Sequence, residues 1–479
     1  MGLFPFLAME LTLRAVWTPP ICNTTDPFLD CSQLSPLFQL HGDTYRTSSN
    51  RLRLFESTEF SARKAVGTRR IFCLGGSTTQ GEPYKPPTAF PAWLQLNLQL
   101  IEPNQRWEVI NCGGLSYASY RLLPILIEIL QFEPDLVILD CGHNEILETR
   151  ELSGWHHASM VQRSATSLSR SSRLVQFTAH VLSTNLQAKS VEAKRTQLTQ
   201  EVDALLDDQG GLAKYKRDEL NMDSVVKSMR WNMAAMIEHC RAADVPVVVL
   251  VPTANIRDCP PFKVELSQQM DQTTKEEVET RWKRAMVANH ERSEADSLEV
   301  HDESLVRELQ SIVTLDPAHA AALYCLGQFE LAHGDIDSAR HHLAQARDND
   351  VCPLRAVSSM QRAIRELAEL EQVWLFDVDA MFESVSVNGL VGDRWLIDHV
   401  HPRIEGHQML GEQLAELLVQ KKWVTPQELN WRRHRTDVYR ERLRELGEDY
   451  FFHGKQRLEG LVLWTQGRAR KGLTPEKPK

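Results

Sequence analysis

The feature that most constrains the fold is a set of five short apolar runs that recur along the 479-residue chain. β-Branched and aromatic residues crowd these runs, which is typical of parallel strands that are covered on both faces of a sheet. Helical patterns separate or follow them, and strands that alternate with helices predict a three-layer α/β/α sandwich. The predicted strands are Ile71–Leu74, Trp107–Asn111, Leu136–Asp140, Val245–Val251 and Val373–Val378, and the predicted helices are Phe90–Leu100, Tyr120–Leu130, Val225–Ala243 and Glu405–Gln420.

The remaining segments define a predicted domain organisation. We expect an N-terminal segment (1–60), an α/β core in two parts (61–258 and 352–424), helical inserts at 149–223 and 259–351, and a basic helical tail at 425–479. In the second insert, the spacing of Asp316-Pro317, Leu326-Gly327 and Gly334-Asp335 resembles one tetratricopeptide helical hairpin. One copy cannot form a solenoid. The hairpin therefore either packs on the α/β core or offers a surface to a protein partner, and both interpretations stay open.

Composition and charge limit the classes of partner. Hydrophobic residues at 42% and charged residues at 25% are ordinary values for a globular protein. A net charge of −10 excludes the overall basic footprint of a nucleic-acid-binding protein. From Trp423 to Lys479 the chain has 13 Lys and Arg against 8 Asp and Glu. This basic tail is either a solvated helical face or a surface for an acidic partner.

The N-terminus leaves the compartment open. Residues 1–17 are apolar, but Glu10 and Arg14 interrupt them, and a basic region and cleavage site typical of a signal peptide are missing. The sequence contains no uncharged apolar stretch of about 18 residues, the length needed to span a bilayer. We expect either an amphipathic helix or the end of a membrane anchor, so both a membrane-associated or cell-envelope location and the cytoplasm stay open. Cys22 and Cys31 would pair only in an oxidising compartment.

Two distant segments carry residues suited to nucleophilic catalysis. Gly75-Gly76-Ser77 follows the first strand, so Ser77 emerges at the carboxyl edge of the sheet, where a base could activate it. Asp398-His399-Val400-His401 follows the last strand, and its Asp-x-x-His spacing suits a general base with its orienting carboxylate. The alternatives are an ordinary turn around Ser77, and a metal site or a polar loop at Asp398, His399 and His401.

Two further segments leave predicted strands at the same edge. They are Gly113-Gly114-Leu115-Ser116 and Gly142-His143-Asn144-Glu145. An acyl-transfer intermediate needs donors aimed at its oxyanion, and backbone N–H groups or an Asn amide can supply them. Taken singly, each segment is also compatible with an ordinary turn between a strand and a helix that has no catalytic role.

Together, the four segments in this order resemble the SGNH (GDSL-type) hydrolase superfamily, in particular a bacterial subgroup with a helical hairpin inside the hydrolase. The resemblance implies a flavodoxin-like sandwich without a metal or an organic cofactor. It implies that Ser77 is the nucleophile, that His401 is its base and that Asp398 orients His401. It also implies an oxyanion hole formed by the N–H groups of Ser77 and Ser116 and by the side chain of Asn144.

The sequence departs from the family pattern at three positions. Gly76 replaces the acidic residue before the nucleophile, Ser116 replaces a glycine, and Glu145 replaces an aspartate. We expect His143, Glu145 and Arg355 to contact the substrate, with a structural ion pair as the alternative for Arg355.

Two further segments are candidates for the site. His399 is a weaker candidate than His401 for the base. The segment Pro252-Thr253-Ala254-Asn255 is expected to line the pocket because it leaves the fourth strand at the same edge of the sheet.

The resemblance predicts hydrolysis of a carboxylic ester, such as a carbohydrate or lipid ester, through an acyl-serine intermediate. Two alternatives stay open. One is an O-acyltransferase that moves acetyl groups onto envelope polysaccharide. The other is a non-catalytic binding protein that uses the hairpin as its working surface.

Overall fold

The helices and strands of the computed structural model follow the order expected for an α/β protein. The structure describes residues 4–16, 29–31, 33–148, 150, 174, 177–178, 196–206, 211–294, 299–427 and 430–473. The strands are β1 Leu29–Asp30, β2 Phe38–His41, β3 Thr44–Thr47, β4 Glu59–Ser61, β5 Thr68–Gly75, β6 Arg106–Gly113, β7 Leu136–Asp140, β8 Thr196–Gln197, β9 Val247–Val251 and β10 Trp374–Asp377. The helices are α1 Phe4–Val16, α2 Ser77–Gln80, α3 Phe90–Ile101, α4 Ser119–Ile129, α5 Met222–Ala242, α6 Gln272–Glu294, α7 Glu299–Leu315, α8 Ala320–Ala332, α9 Ile336–Asp348, α10 Ser358–Glu371, α11 Val378–Val385, α12 Ile404–Gln420 and α13 Trp431–Leu473.

Five strands form one parallel sheet in the order β10-β9-β7-β5-β6. Each apolar run that the sequence predicted as a strand overlaps one of these five, so the predicted α/β fold is confirmed. Because the strands are parallel, their carboxyl ends lie at one edge, where ligands bind in open α/β sheets. Gly75, Gly113 and Asp140 end β5, β6 and β7 at this edge.

The sheet is covered on both faces because side chains alternate along each strand. Phe72 and Leu74 of β5 belong to a core shared with α4, α5 and α10. Ile71 and Cys73 belong to the opposite core, which α3 and α12 complete. The sequence prediction did not include α10, although Met360, Ile364 and Leu367 form its buried stripe. Fully burying each large apolar side chain contributes about 1.5–3 kcal/mol to folding.

The segment between β9 and α10 is helical, as the sequence predicted, and has its own apolar core. Helices α6, α7 and α8 share this core, which includes Trp282, Leu309 and Ala321. Helices α8 and α9 occupy the position of the predicted hairpin and pack on each other. The resemblance to a tetratricopeptide repeat and the domain boundaries stay predictions.

Two predicted features, the first helical insert and the Cys22–Cys31 pair, include residues that the structure does not describe. Most of the 149–223 insert lies outside the described residues, and so does Cys22 of the proposed Cys22–Cys31 pair. At the N-terminus the structure has α1, in agreement with a helix there. Within the described ranges, no helix combines the length and the apolarity needed to cross a membrane.

The basic tail is helical, as predicted, and its first turns are docked on the α/β core. Trp431 is buried in the core that α3 and α12 share. Arg435 donates to Asn97 of α3 at 2.9 Å and pairs with Glu416 of α12 at 3.2 Å. The helix is interrupted at Gly447, whose φ of +72° is accessible to glycine without steric cost. The tail is therefore not only a solvated face.

Candidate active site

Ser77 is the first residue of α2, directly after the carboxyl end of β5. The turn between strand and helix is packed so closely that only glycine fits at two positions. A Cβ atom at Gly75 would lie 2.0 Å from the Thr79 hydroxyl, and one at Gly76 would lie 2.6 Å from the Asn144 amide nitrogen. The two glycines thus allow Ser77 to approach Asn144.

A buried carboxylate at the end of β7 fixes the first turn of α2 by hydrogen bonds. Asp140, at the end of β7, accepts hydrogen bonds from the hydroxyls of Thr78 at 2.8 Å and Thr79 at 2.9 Å. Burial raises the pKa of Asp140, and these two hydrogen bonds oppose that shift. Since both threonines are adjacent to the nucleophile in sequence or space, Asp140 positions Ser77 relative to the sheet.

The Asp-x-x-His segment forms a tight turn because one side chain bonds to the backbone ahead of it. Oδ1 of Asp398 accepts from the N–H groups of Val400 at 2.9 Å and His401 at 2.8 Å. Short-range bonds of this kind are the usual way in which aspartate stabilises a turn. They leave Oδ2 free to receive the imidazole three residues later.

Ser77, His401 and Asp398 form one hydrogen-bonded chain, although 324 positions separate the serine from the histidine. Nδ1 of His401 lies 2.7 Å from Oδ2 of Asp398, and Nε2 lies 2.7 Å from Oγ of Ser77. A carboxylate can only accept, so it fixes the proton of a neutral His401 on Nδ1. Nε2 is then the acceptor for the Ser77 hydroxyl.

The electrostatics of this chain suit a general base. Burial by itself lowers the pKa of His401, but the charge and hydrogen bond of Asp398 outweigh it, so the pKa is raised. Burial raises the pKa of Asp398, yet the charges of His401 and His399 hold it well below its usual range. Asp398 therefore stays ionised and stabilises the imidazolium form of His401.

Asn255 supports the turn from the loop after β9. Its side-chain amide donates to the Asp398 carbonyl at 3.0 Å and to Asp393 at 2.8 Å, and its N–H donates to the His399 carbonyl at 2.9 Å. Asn255 is fully buried. The sequence placed this segment at the correct edge, but Asn255 holds the triad turn instead of lining the cavity.

Three hydrogen-bond donors converge near Ser77. Within the described part of the chain, the N–H groups of Ser77 and Ser116 have no acceptor. The Asn144 amide uses one N–H on the Tyr117 carbonyl at 3.0 Å, which fixes its orientation and leaves its second N–H. Ser116 has a φ of +61°, a conformation that glycine adopts more readily than other residues.

The structure corrects the prediction for Glu145. This side chain is buried and accepts from the N–H and the hydroxyl of Ser119, both at 2.8 Å. It therefore lies at the N-terminus of α4, where the helix dipole favours a negative charge. Glu145 supports the Asn144 loop through α4 and does not contact the cavity.

His143 and Arg355 likewise do not reach the cavity. Nδ1 of His143 accepts from the Ala356 N–H at 3.2 Å, and burial lowers the pKa of His143 to about 3. Arg355 is 1% exposed and donates to the carbonyls of Asn255 at 2.5 Å and Cys259 at 2.9 Å. Its guanidinium is thus used to fix the loop after β9, and the expectation of substrate contact was wrong for both residues.

His399 lines the cavity but is not placed to act on Ser77 as His401 is. Its Nδ1 lies 3.6 Å from Oδ2 of Asp398, and its ring packs edge-on against Phe262. Burial lowers the pKa of His399 to about 4, so it is neutral near pH 7. Among the residues that the structure describes, no group of three His, Cys, Asp or Glu side chains is arranged to bind a metal ion.

One cavity of about 430 Å³ is lined by the candidate catalytic residues Ser77, Ser116, Asn144 and His401. This volume is within the range of small-molecule sites. The remaining wall is mostly apolar and includes Leu115, Leu147, Ala204, Leu206, Leu354 and Val400. The arrangement can hold an ester with its carbonyl carbon next to Ser77 and an apolar part against these side chains.

Comparison with known proteins agrees with the chemistry of this site. Residues 73–300 match the GDSL-like Lipase/Acylhydrolase family, which is also called SGNH. The match supports a relationship to this family and an activity as a carboxylic ester hydrolase. The match ends before Asp398 and His401, so the structure alone places these two residues beside Ser77. No curated protein matches the chain.

Several solved structures are distantly similar to the chain. One is a G-D-S-L family protein from Desulfitobacterium hafniense DCB-2, with 10% identity, 73% of this chain and 100% of that chain covered, and a TM-score of 0.32. Another is the acetylxylan esterase Axe2 from Geobacillus stearothermophilus, with 12% identity, 74% and 95% covered, and a TM-score of 0.31. At this distance the likenesses carry no argument about the substrate.

Proposed function

We propose, from the family match of residues 73–300 and the Ser77–His401–Asp398 chain, that the protein hydrolyses carboxylic esters through an acyl-serine intermediate. The observation that carries the proposal is the 2.7 Å contact between Nε2 of His401 and Oγ of Ser77. It joins a hydroxyl to a base whose other nitrogen is fixed by an ionised carboxylate. This is the arrangement that activates a serine nucleophile.

Acylation follows from the positions of these atoms. Oγ of Ser77 attacks the ester carbonyl carbon while Nε2 of His401 takes the hydroxyl proton. The carbonyl oxygen becomes an oxyanion, which the N–H groups of Ser77 and Ser116 and the Asn144 amide stabilise. As the intermediate collapses, the C–O bond to the alcohol breaks and His401 returns its proton to the leaving oxygen.

Deacylation uses the same groups with water as the nucleophile. His401 takes a proton from the water as it attacks the acyl carbon, and the oxyanion donors act a second time. The bond to Oγ of Ser77 then breaks, His401 protonates that oxygen, and the carboxylic acid leaves. The apolar wall of the cavity is suited to the acyl group or the alcohol of a small or medium-sized ester.

The proposal is tested by covalent labelling with a fluorophosphonate, followed by peptide mapping. We expect a single adduct on Ser77, because activation by His401 distinguishes this hydroxyl from the other serines of the chain. Turnover of 4-nitrophenyl acetate by the same preparation should stop in proportion to labelling. An adduct on another residue, with Ser77 unmodified, would contradict the proposal.

Asn144 provides a second test, which addresses the oxyanion donors separately from the nucleophile. We expect Asn144→Ala to lower kcat by about 10²–10³, the usual cost of losing one such donor. KM should change much less, because the negative charge on the carbonyl oxygen develops only after the substrate is bound. Steady-state kinetics with 4-nitrophenyl acetate measure both constants. Asn104→Ala, an exposed position, serves as control, and an unchanged kcat in Asn144→Ala would refute the assigned role.

The transferase alternative keeps the same acyl-enzyme and changes only the acceptor. Hydrolysis and transfer are separated by following acetate and acetylated glycan with and without a polysaccharide acceptor. Release of acetate without acceptor supports hydrolysis. Product formation only in the presence of acceptor would favour the transferase.

A further inference from the structure

The far part of the tail helix α13 reaches the rim of the catalytic cavity. The hydroxyl of Tyr450 lies 2.8 Å from that of Thr88, and Gly454 packs so closely on Tyr84 that a Cβ atom would lie 2.2 Å from the ring. Arg457 then donates from Nε to the Pro83 carbonyl at 2.7 Å. These contacts bring the basic tail to the site, an arrangement that the sequence analysis did not predict.

Among the described residues that line the cavity, Arg457 and Glu82 carry the charged side chains besides the histidines. Glu82 is ion-paired with Lys85, which also contacts Glu56 at 3.0 Å. Arg457 has no carboxylate within ion-pair distance among the described residues. Only its Nε–H is used, on Pro83, and the remaining N–H groups of the guanidinium have no protein acceptor in the described ranges.

A guanidinium in this position is suited to a particular ligand chemistry. Its planar set of donors matches a carboxylate, which it can bind through two parallel hydrogen bonds. Among the described residues of the cavity wall, such an anion finds no other Arg or Lys side chain. An ester that carries a carboxylate could therefore place its ester bond at Ser77 and its charge at the rim.

We propose that Arg457 is a substrate-binding residue that selects esters carrying a carboxylate group. The inference rests on the proposed ester hydrolysis and specifies its substrate class. The competing explanation is that Arg457 only anchors the tail through the Pro83 carbonyl. The two differ in one respect: an anchor affects neutral and anionic esters alike, whereas a substrate-binding cation discriminates between them.

The test compares two pairs of esters that differ mainly in charge. 4-Acetoxybenzoate and 4-acetoxybenzamide place the charge on the alcohol side, and 4-nitrophenyl hemiadipate and 4-nitrophenyl hexanoate place it on the acyl side. In at least one pair we expect the wild type to prefer the anion. Arg457→Gln should reduce that preference about tenfold, mainly through KM, because one charge-assisted contact at a solvent-exposed rim is lost.

Two matched variants isolate the charge. Arg457→Lys keeps the positive charge and should retain part of the preference, although it loses the bidentate geometry. Arg440→Gln removes an exposed arginine from the same helix, outside the cavity, and should leave all four kcat/KM values unchanged. Equal losses on charged and neutral esters in Arg457→Gln would identify Arg457 as an anchor and overturn the inference, as would a wild type without preference in either pair.

A second measurement needs no turnover. The probes mimic the ester pair in which the wild type prefers the anion: hydroxybenzoate against hydroxybenzamide for the alcohol side, and adipamate against hexanamide for the acyl side. The anionic probe should protect Ser77 from fluorophosphonate labelling better than the neutral one does, and Arg457→Gln should remove the difference. Labelling of Ser77 without this difference would refute the charge selection alone. Failure of Ser77 to react with the probe at all would refute the proposed hydrolase, and the inference with it.

Discussion

Ser77→Ala should abolish ester hydrolysis, with a loss in kcat of about 10⁶, the scale measured when a triad serine is removed from other hydrolases. The alanine leaves His401, Asp398 and the oxyanion donors in place but provides no atom to form the acyl-enzyme. Residual activity should come only from the oxyanion donors and from binding, which accelerate the reaction about 10³–10⁴ over water. The measurement is kcat for 4-nitrophenyl acetate with the uncatalysed rate subtracted.

The controls for this experiment separate chemistry from folding. Thermal unfolding should show little change, since Ser77 is half-buried and the alanine keeps the backbone of α2. Ser384→Ala, an exposed serine on α11, should retain full activity. If Ser77→Ala still forms an acyl-enzyme or hydrolyses the ester at the wild-type rate, the assignment of the nucleophile is wrong.

Asp398→Asn should lower kcat by about 10⁴ while the turn stays folded. The asparagine carbonyl can still accept from the N–H groups of Val400 and His401. Its amide group, however, donates toward Nδ1 and favours the tautomer with the proton on Nε2, which faces Ser77. His401 can then no longer take the hydroxyl proton. Steady-state kinetics give the loss, and Asp393→Asn, a nearby carboxylate that bonds to Asn255 instead of His401, is the matched control.

The pH dependence identifies the same carboxylate in a way that a structural defect would not. Only neutral His401 acts as a base, so kcat/KM falls as the pH drops through its pKa. Because Asp398 outweighs burial and raises this pKa, the acid limb of the wild type should lie above the ordinary value of 6.5. Removing the negative charge lowers the pKa, so the residual activity of Asp398→Asn should persist to lower pH. If the acid limb of the kcat/KM profile lies at the same pH in Asp398→Asn and in the wild type, direct electrostatic coupling between Asp398 and His401 is contradicted.

Much of the α/β core was predictable because each strand of a parallel sheet is marked by its own local composition. β7, for example, is predicted with the bounds that the structure gives, Leu136–Asp140. α10 was overlooked, although its Met360, Ile364 and Leu367 form a readable helical stripe. The helix lies between the insert and the last strand, where the sequence suggested only a return of the chain.

The roles of the buried polar residues were less predictable. Glu145 and Arg355 were both expected to contact substrate, yet one caps α4 and the other binds the carbonyls of the loop after β9. The expected position at the carboxyl edge of the sheet holds for Glu145, which follows β7, but position does not determine the partner. A buried polar group takes whichever donor or acceptor the fold brings to it, and that depends on distant segments.

The sequence by itself determined the α/β layers and the position of the Ser77 and Asn144 segments at one sheet edge, since parallel strands all end on the same side. Only the tertiary structure decided that Oγ of Ser77 meets Nε2 of His401 at 2.7 Å, that Asn255 supports the turn, and that Arg457 reaches the cavity rim. The reason is that these contacts join residues more than 100 positions apart. Their geometry depends on how helices pack on the sheet, which no local spacing encodes.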